Sequence, residues 1–288
     1  MKEEIMNSPF YQDAKLALNG KAETPKQLVS KDEYESGVRV ATCQIHGEFE
    51  VESQSIGSLT FIKSTCQKCS DIYATAVEQK VNELKEKSER EKLLNRLKSA
   101  GISDRHLSKT FDNFETDTKE KKFALESMRY FADKVLEGEC KNVILCGSVG
   151  TGKTHLCHAT VRHIIESTDH FRVQIATITE VIRFYRSSWA KDSKYTESEV
   201  VEKLSTDKLL VIDEMGVQVG SDNELNIIFE IINNRYENKL PTVIISNLEK
   251  GELVELLGQR IIDRLKEDGC RVLGMSWDSH RETNKEEF

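Results

Sequence analysis

The chain has 288 residues, enough for one nucleotide-binding domain of ordinary size and a smaller module. Hydrophobic residues make up 38% and charged residues 31%, only three residues are proline, and no apolar run approaches the roughly 18 residues of a membrane span, so a folded cytoplasmic protein without a membrane partner is expected. The formal net charge of -8 argues against nonspecific coating of nucleic acid, because broad phosphate binding depends on excess Lys and Arg, and any DNA contact has to come from a local patch.

The first residues, MKEEIMNSPF, lack the basic-then-apolar order of a signal peptide. Residues 1–35 are polar and mixed, with apolar pieces near Phe10, Leu16, Leu18 and Leu28 that suit at most a marginal helix or a docking segment. Residues 38–69 read as short strands with glycines between them, a small β-rich knuckle. Within it, Cys43 and His46 form a CxxH, and Cys66 and Cys69 form a CxxC, with residues 47–65 between them. Each pair can bite one ion from a tight turn, and together they make the Cys3His donor set of a closed, structural Zn²⁺ site with no open position for catalysis. In a reducing compartment that spacing suggests a metal before a disulfide. Cys140, Cys146, Cys157 and Cys270 have no such partners and read as small core or surface residues. Residues 71–98 carry charges of both signs around sparse apolar positions at Ile72, Val77, Val81, Leu84, Leu93, Leu94 and Leu97, the pattern of a long exposed helix or linker. The expected organisation is a knuckle over residues 1–70, a helical linker over 71–105 and an ATPase domain over 106–288.

After Gly101 strands and helices alternate. A helix over 119–136 leads to a strand at 142–146, a glycine-rich turn and a helix through Ile165. Then come a strand at 171–177, a helix over 179–189, a strand at 208–213, a helix over 223–237 and a strand at 242–246, followed by a helix from near Glu249. The strands are continuous Val/Ile/Leu runs, which predicts an α/β fold with a parallel sheet covered by helices on both faces.

The turn is Gly147-Ser148-Val149-Gly150-Thr151-Gly152-Lys153-Thr154, a P-loop pattern placed after an apolar strand and before an amphipathic helix. Glycines let successive N–H groups curl around phosphate, and the positive end of the next helix favours negative charge. Lys153 is expected to reach the β and γ phosphates of ATP, and Thr154 to offer its hydroxyl to Mg²⁺. The strand at 208–213 runs into the carboxylates Asp213 and Glu214. The first suits Mg²⁺, held through water, and the second suits polarisation of the attacking water. Asn247, after the strand at 242–246, either orients that water and senses the γ phosphate or caps the following helix.

With these elements placed, residues 110–281 resemble the DnaC family of AAA+ ATPases, bacterial and phage helicase loaders. Four stretches carry the resemblance: TFDNF at 110–114, LVIDEMGVQ at 210–218, LGQRIIDRL at 257–265 and WDSHR at 277–281. It implies an AAA+ P-loop core joined to a small N-terminal zinc-binding module and helical linker, in the manner of phage-type relatives with a zinc knuckle. It implies that Arg264 is an arginine finger reaching a neighbouring subunit's ATP, with Arg260 as the rival, and that Arg281 contacts nucleotide within its own subunit. Self-association through the ATPase domain follows, because a finger supplied from a partner makes hydrolysis depend on assembly. The implied partners are a replicative helicase of the DnaB type and single-stranded DNA. For the DNA, Arg183, Tyr185 and Arg186 on the helix over 179–189 are the candidate contacts, arginine for phosphate and aromatic ring for base. The other reading of that helix has its aromatics in the core and its arginines solvated.

The expected function is ATP-dependent loading of a helicase onto single-stranded DNA, with hydrolysis resetting or releasing the loader. An IstB-like transposition ATPase is the alternative within the fold, and the stretch 277–281 favours the loader. A small-molecule kinase is opposed by the Asp-Glu pair and the downstream arginines. A zinc-dependent adaptor with a structural ATP site is separable by a turnover assay with Glu214→Gln as control.

Overall fold

Successive residues of a strand point to opposite faces of the sheet, so a strand covered on both sides must be apolar throughout. The computed structural model of the chain, which describes residues 39–43, 45–56, 59–63, 66–216, 221–267 and 269–278 together with Glu35 and Gly37, is built on such strands. The chain divides into two compact units, Met1–Glu91 and Lys92–Phe288.

In the first unit, β1 (Val40–Cys43) pairs antiparallel with β2 (Gly47–Glu50), and β3 (Glu52–Ile56) pairs antiparallel with β4 (Leu59–Lys63). The marginal helix considered for residues 1–35 falls outside the described residues except at Glu35. Helix α1 (Gln67–Ser99) begins in this unit and ends in the other. Its residues 81–92 are exposed on every side, and good helix formers such as Glu, Lys, Leu and Arg keep it regular without a buried face. Its last turn belongs to the larger unit, where Leu97, Ala100 and Ile102 are buried in the core.

The larger unit continues with α2 (Lys119–Leu136), β5 (Asn142–Cys146), α3 (Lys153–Ser167), β6 (Val173–Thr177), α4 (Ile178–Ser187), α5 (Glu197–Thr206), β7 (Leu209–Met215), α6 (Asp222–Glu237), β8 (Thr242–Ser246), α7 (Lys250–Glu267) and β9 (Cys270–Gly274). The five strands form one parallel sheet in the order β6-β7-β8-β5-β9. Val143 and Leu145 of β5, Leu209 and Val211 of β7 and Val243 and Ile245 of β8 face α2 and α3, where Met128, Phe131, Leu156 and Ile164 are buried. The residues between them, Ile144, Leu210, Ile212 and Ile244, face α4 to α7. Helices α4, α5 and α6 each start in a capping box, Thr177 with Glu180, Thr196 with Glu199 and Ser221 with Glu224, which satisfies otherwise orphaned N–H groups.

Helix α5 and strand β9 were not anticipated from the sequence, and β9 is the sheet edge beside β5. Two buried polar residues pin the layers. Asn142 donates to Leu265 O at 2.9 Å and accepts from Thr242 N at 2.8 Å. Arg235, fully buried, donates to Thr242 Oγ1, to Leu204 O and Asp207 O, and to Pro241 O. Among the described residues no helix is long and apolar enough to cross a membrane.

Candidate nucleotide site and metal centre

The turn between β5 and α3 is glycine-rich because other backbones press on it. Gly147 has φ +118° and lies so close to the end of β9 that a Cβ would sit 2.5 Å from Met275 O, while Gly152, at φ +93°, has the Phe114 ring where a Cβ would be, 2.7 Å away. Only glycine combines these conformations with such approach. Val149 to Thr151 between them line one wall of a cleft of about 740 Å³. Lys153, 4% exposed, donates from Nζ to Gly147 O at 2.7 Å and Ser148 O at 2.6 Å, which keeps its ammonium inside the loop. N–H groups at the start of α3 and this cation together suit a polyphosphate.

Across the cleft, Thr154 Oγ1 stands 3.5 Å from Asp213 Oδ2 and donates to it. These are two hard oxygen donors of the kind Mg²⁺ takes. Burial pushes the Asp213 carboxyl above the usual carboxylate range, with the neighbouring Glu214 charge adding to it and the Glu214 N–H and Thr154 hydroxyl opposing. The ladder between β7 and β8 shifts register between Ile212 and Met215, and Glu214 takes up the irregularity with a left-handed φ of 60°. Its N–H donates to Asp213 Oδ1 at 2.6 Å, and its own carboxylate is exposed and lines the cleft. A left-handed glutamate costs on the order of 1–2 kcal/mol, and such outliers concentrate at functional sites. Asn247 also lines the cleft, whereas the turn before α7 is closed by Glu252, which accepts from the Glu249 N–H at 2.9 Å. A helix-capping role for Asn247 is therefore not what holds that turn.

The stretch 110–114 docks on the P-loop helix. Thr110 and Asn113 bond to each other, Thr110 N–H to Asn113 Oδ1 and Asn113 N–H to Thr110 Oγ1. His155 Nε2 lies 2.9 Å from Thr110 O and 3.0 Å from Asn113 Oδ1, and its ring meets Phe114 edge-on. Trp277 closes the other side by donating from Nε1 to Thr151 O at 3.0 Å. Deeper in the cleft, His158 stacks on His106 with centroids 4.4 Å apart. Burial, with His106 and His155 beside it, holds the His158 imidazole down at about 4. The histidines and the Trp277 anchor are site features that the motif reading missed, although His155 and His158 follow the P-loop directly in sequence.

Arg260 and Arg264 on α7 are not among the residues lining this cleft. Their guanidinium groups lie over α6 aromatics, Arg260 above Phe229 at 4.2 Å and Arg264 above Tyr236 at 4.5 Å. Arg281 lies outside the described residues. On α4 the DNA reading needs correction at Tyr185, which is buried and donates its hydroxyl to Glu197 at 3.0 Å, leaving no face for a base. Arg186 is paired with Glu224 at 3.1 Å, and Arg183 is exposed. Core packing took the tyrosine because α4 needs that face against α5 and β7.

In the first unit the four donors of the CxxH and CxxC converge. His46 Nδ1 is 3.7, 3.5 and 3.3 Å from the sulfurs of Cys43, Cys66 and Cys69, and the Cys43 and Cys69 sulfurs are 3.5 Å apart. A tetrahedron with Zn–S of about 2.3 Å and Zn–N of about 2.0 Å has edges of roughly 3.5–3.8 Å, so the donor set fits zinc and could bind it. Burial raises the Cys43 thiol, but N–H groups of Ile45 and His46 and the Cys69 and His46 side chains outweigh it and hold Cys43 at about 6. Burial and the adjoining Cys43 push Cys69 up to about 12. A cluster with one thiolate and a further thiol that cannot ionise alone is one that a divalent cation completes.

Residues 60–288 match the family described as IstB-like ATP binding protein. The chain is 30% identical over 182 residues to the replicative helicase loader DnaC of Escherichia coli strain K12, covering 63% of this chain and 73% of that protein. It is 30% identical over 191 residues to the uncharacterized protein YdaV of the same strain, covering 66% and 74%. Among solved structures, the crystal structure of the DnaC helicase loader superposes with a TM-score of 0.53 at 25% identity, over 60% of this chain and all of that one. The replication initiator DnaA bound to AMPPCP and single-stranded DNA gives 0.51 at 19% identity over 61% of this chain and 52% of its own, a likeness of fold alone. The sheet order, the P-loop and these neighbours make the larger unit an AAA+ ATP-binding core.

Proposed function

The chain belongs to the IstB-like ATP-binding protein family, and from that membership we propose that it is an ATP-hydrolysing loader of a replicative DNA helicase of the DnaB type, acting in the cytoplasm. The observation that carries the hydrolytic part is the approach of Thr154 Oγ1 to Asp213 Oδ2 at 3.5 Å, beside a Glu214 that a register shift turns into the cleft. Loading rests on the relatives named as helicase loaders.

In this reading the loop 147–152 and Lys153 hold the phosphates of ATP, Thr154 and Asp213 hold Mg²⁺, which offsets the negative charge of the phosphates, and Asn247 faces the γ phosphate. Glu214 accepts a proton from the attacking water. Arg264 of one subunit serves the ATP of the next, so turnover depends on self-association, and Arg281 contacts nucleotide in its own subunit. Cys43, His46, Cys66 and Cys69 hold one structural Zn²⁺, and the N-terminal module grips the helicase. Arg183 and Arg186 supply phosphate contacts to single-stranded DNA.

Nucleotide binding and turnover of two variants test the site. Lys153→Ala is expected to abolish ATP binding, whereas Glu214→Gln keeps it and loses at least about a hundredfold in turnover. Equal ATP affinity in wild type and Lys153→Ala would overturn the assignment. Capture of a purified DnaB-type helicase by the tagged chain tests the partner. Capture of a transposase with duplex DNA in place of the helicase would move the assignment to an IstB-like transposition ATPase.

A further inference from the structure

Helix α6 places Phe229 and Tyr236 seven residues apart, two helical turns, so that both rings lie along one side and meet the two arginines of α7. The two pairs differ in chemistry. Arg260 rests on a phenyl ring, which offers only its face. Arg264 rests on Tyr236 and also pairs with Glu267, Nη1 to Oε2 at 3.8 Å. Tyr236 and Glu267 thus both meet one guanidinium, and the ring beneath it leaves the in-plane N–H groups at the edges free to meet an anion.

We propose that Tyr236 is the positioning residue for Arg264: its ring, 4.5 Å beneath the guanidinium, fixes it in the orientation in which it meets the γ phosphate of a neighbouring subunit. The proposal rests on the reading of Arg264 as a finger supplied in trans. A free arginine side chain samples many rotamers, and only a small fraction presents the fork correctly. Stacking on an aromatic face removes most of that freedom before the subunits meet, and an exposed pair of this kind contributes about a fivefold population bias. Glu267 adds an ion pair on the Nη1 side, at 3.8 Å. Arg260 has no carboxylate in its pair with Phe229, so its orientation about the ring is not set in the same way.

Mixed assemblies isolate this effect from the fold of the catalytic site. Chains carrying Glu214→Gln have an inactive site and an intact finger, and chains carrying Arg264→Ala have an intact site and no finger, so turnover in the mixture comes from sites served in trans. Adding Tyr236→Leu to the Glu214→Gln chain is expected to lower kcat of the mixture about fivefold with KM for ATP unchanged, because the altered residue is not in the subunit that binds the substrate. Tyr236→Phe in the same chain keeps the ring and is expected to restore at least half of the turnover. Light scattering on each mixture verifies equal assembly. If the mixture of the two parent variants shows no turnover, the finger reading itself fails. If that mixture turns over and Tyr236→Leu leaves kcat within a factor of 1.5, or if Tyr236→Phe is as damaging as Tyr236→Leu, the positioning role is overturned.

Discussion

Replacing Arg235 by methionine is expected to destabilise the larger unit by about 3–5 kcal/mol. The side chain is fully buried between α5, α6 and β8, and its guanidinium donates four hydrogen bonds, to Thr242 Oγ1 at 3.0 Å, Leu204 O at 3.0 Å, Asp207 O at 3.0 Å and Pro241 O at 2.6 Å. Burial lowers its pKa to about 10, which still leaves it charged at neutral pH. Methionine fills most of the space, but strands the Leu204 and Asp207 carbonyls and a hydroxyl, while Pro241 O keeps the Leu210 N–H at 3.5 Å. The hydroxyl can turn elsewhere, and each carbonyl costs about 1–3 kcal/mol when left without a donor. Asp207 also loses a nearby cation and keeps Arg172, 3.1 Å away. Against this, the cation no longer has to be stripped of water, which keeps the net to about 3–5 kcal/mol. Both tryptophans, Trp189 and Trp277, lie in the larger unit, so their fluorescence during urea unfolding reports on it. A midpoint lower by about 1–2 M is expected, with Arg235→Lys losing roughly half as much because it keeps the charge and not the fork. A loss below about 1 kcal/mol for Arg235→Met would refute the reasoning, since it would mean that the four acceptors find other donors.

Gly152→Ala should weaken ATP binding and loosen the stretch 110–114, because the new Cβ meets the Phe114 ring at 2.7 Å in a conformation that already disfavours alanine; nucleotide titration reads it, and wild-type affinity would count against the close packing. Stability should fall as pH drops from about 6.5 to about 4, since the unfolded chain protonates His158 while the folded chain holds it neutral, a difference of about 3 kcal/mol that is absent above pH 6.5 and complete below pH 4. His158→Gln should flatten that part of the profile, and an unchanged slope would show that other groups carry it. Purified protein should contain one zinc per chain by elemental analysis, and Cys66→Ser should lose it while ATP turnover is retained; metal-free protein with an intact knuckle would rule the centre out.

The strands at 142–146 and 242–246 and the helix over 119–136 could be read from sequence because their signals are local: unbroken apolar runs for buried strands and a 3.6-residue period for the helix. The P-loop and the Asp-Glu pair were readable for the same reason, since their chemistry sits in consecutive residues. What escaped depends on distant partners. Strand β9 is a short CRVLG stretch that becomes a strand by pairing with β5, whose residues precede it by more than a hundred positions. Helix α5 is short and polar enough to pass for a loop until Val200, Val201 and Leu204 are buried against α4 and α6. Tyr185 looks like a base-stacking residue beside two arginines, and only the position of Glu197 shows where its hydroxyl goes. The register shift that aims Glu214 arises between two strands and has no mark in either one.

The stretch that joins α1 to α2 is fastened at both ends. Near one end, Ala100 O accepts from Ile175 N of edge strand β6 at 2.7 Å, and at the other the Phe114 ring fills the space over Gly152 while His155 grips Thr110 and Asn113. If the stretch undocks, its two arrangements form a two-state element with the nucleotide loop at its far end. Any ligand of the chain that favours the docked arrangement tightens ATP binding by some factor, and ATP must then tighten that ligand by the same factor, because the four states close a thermodynamic cycle.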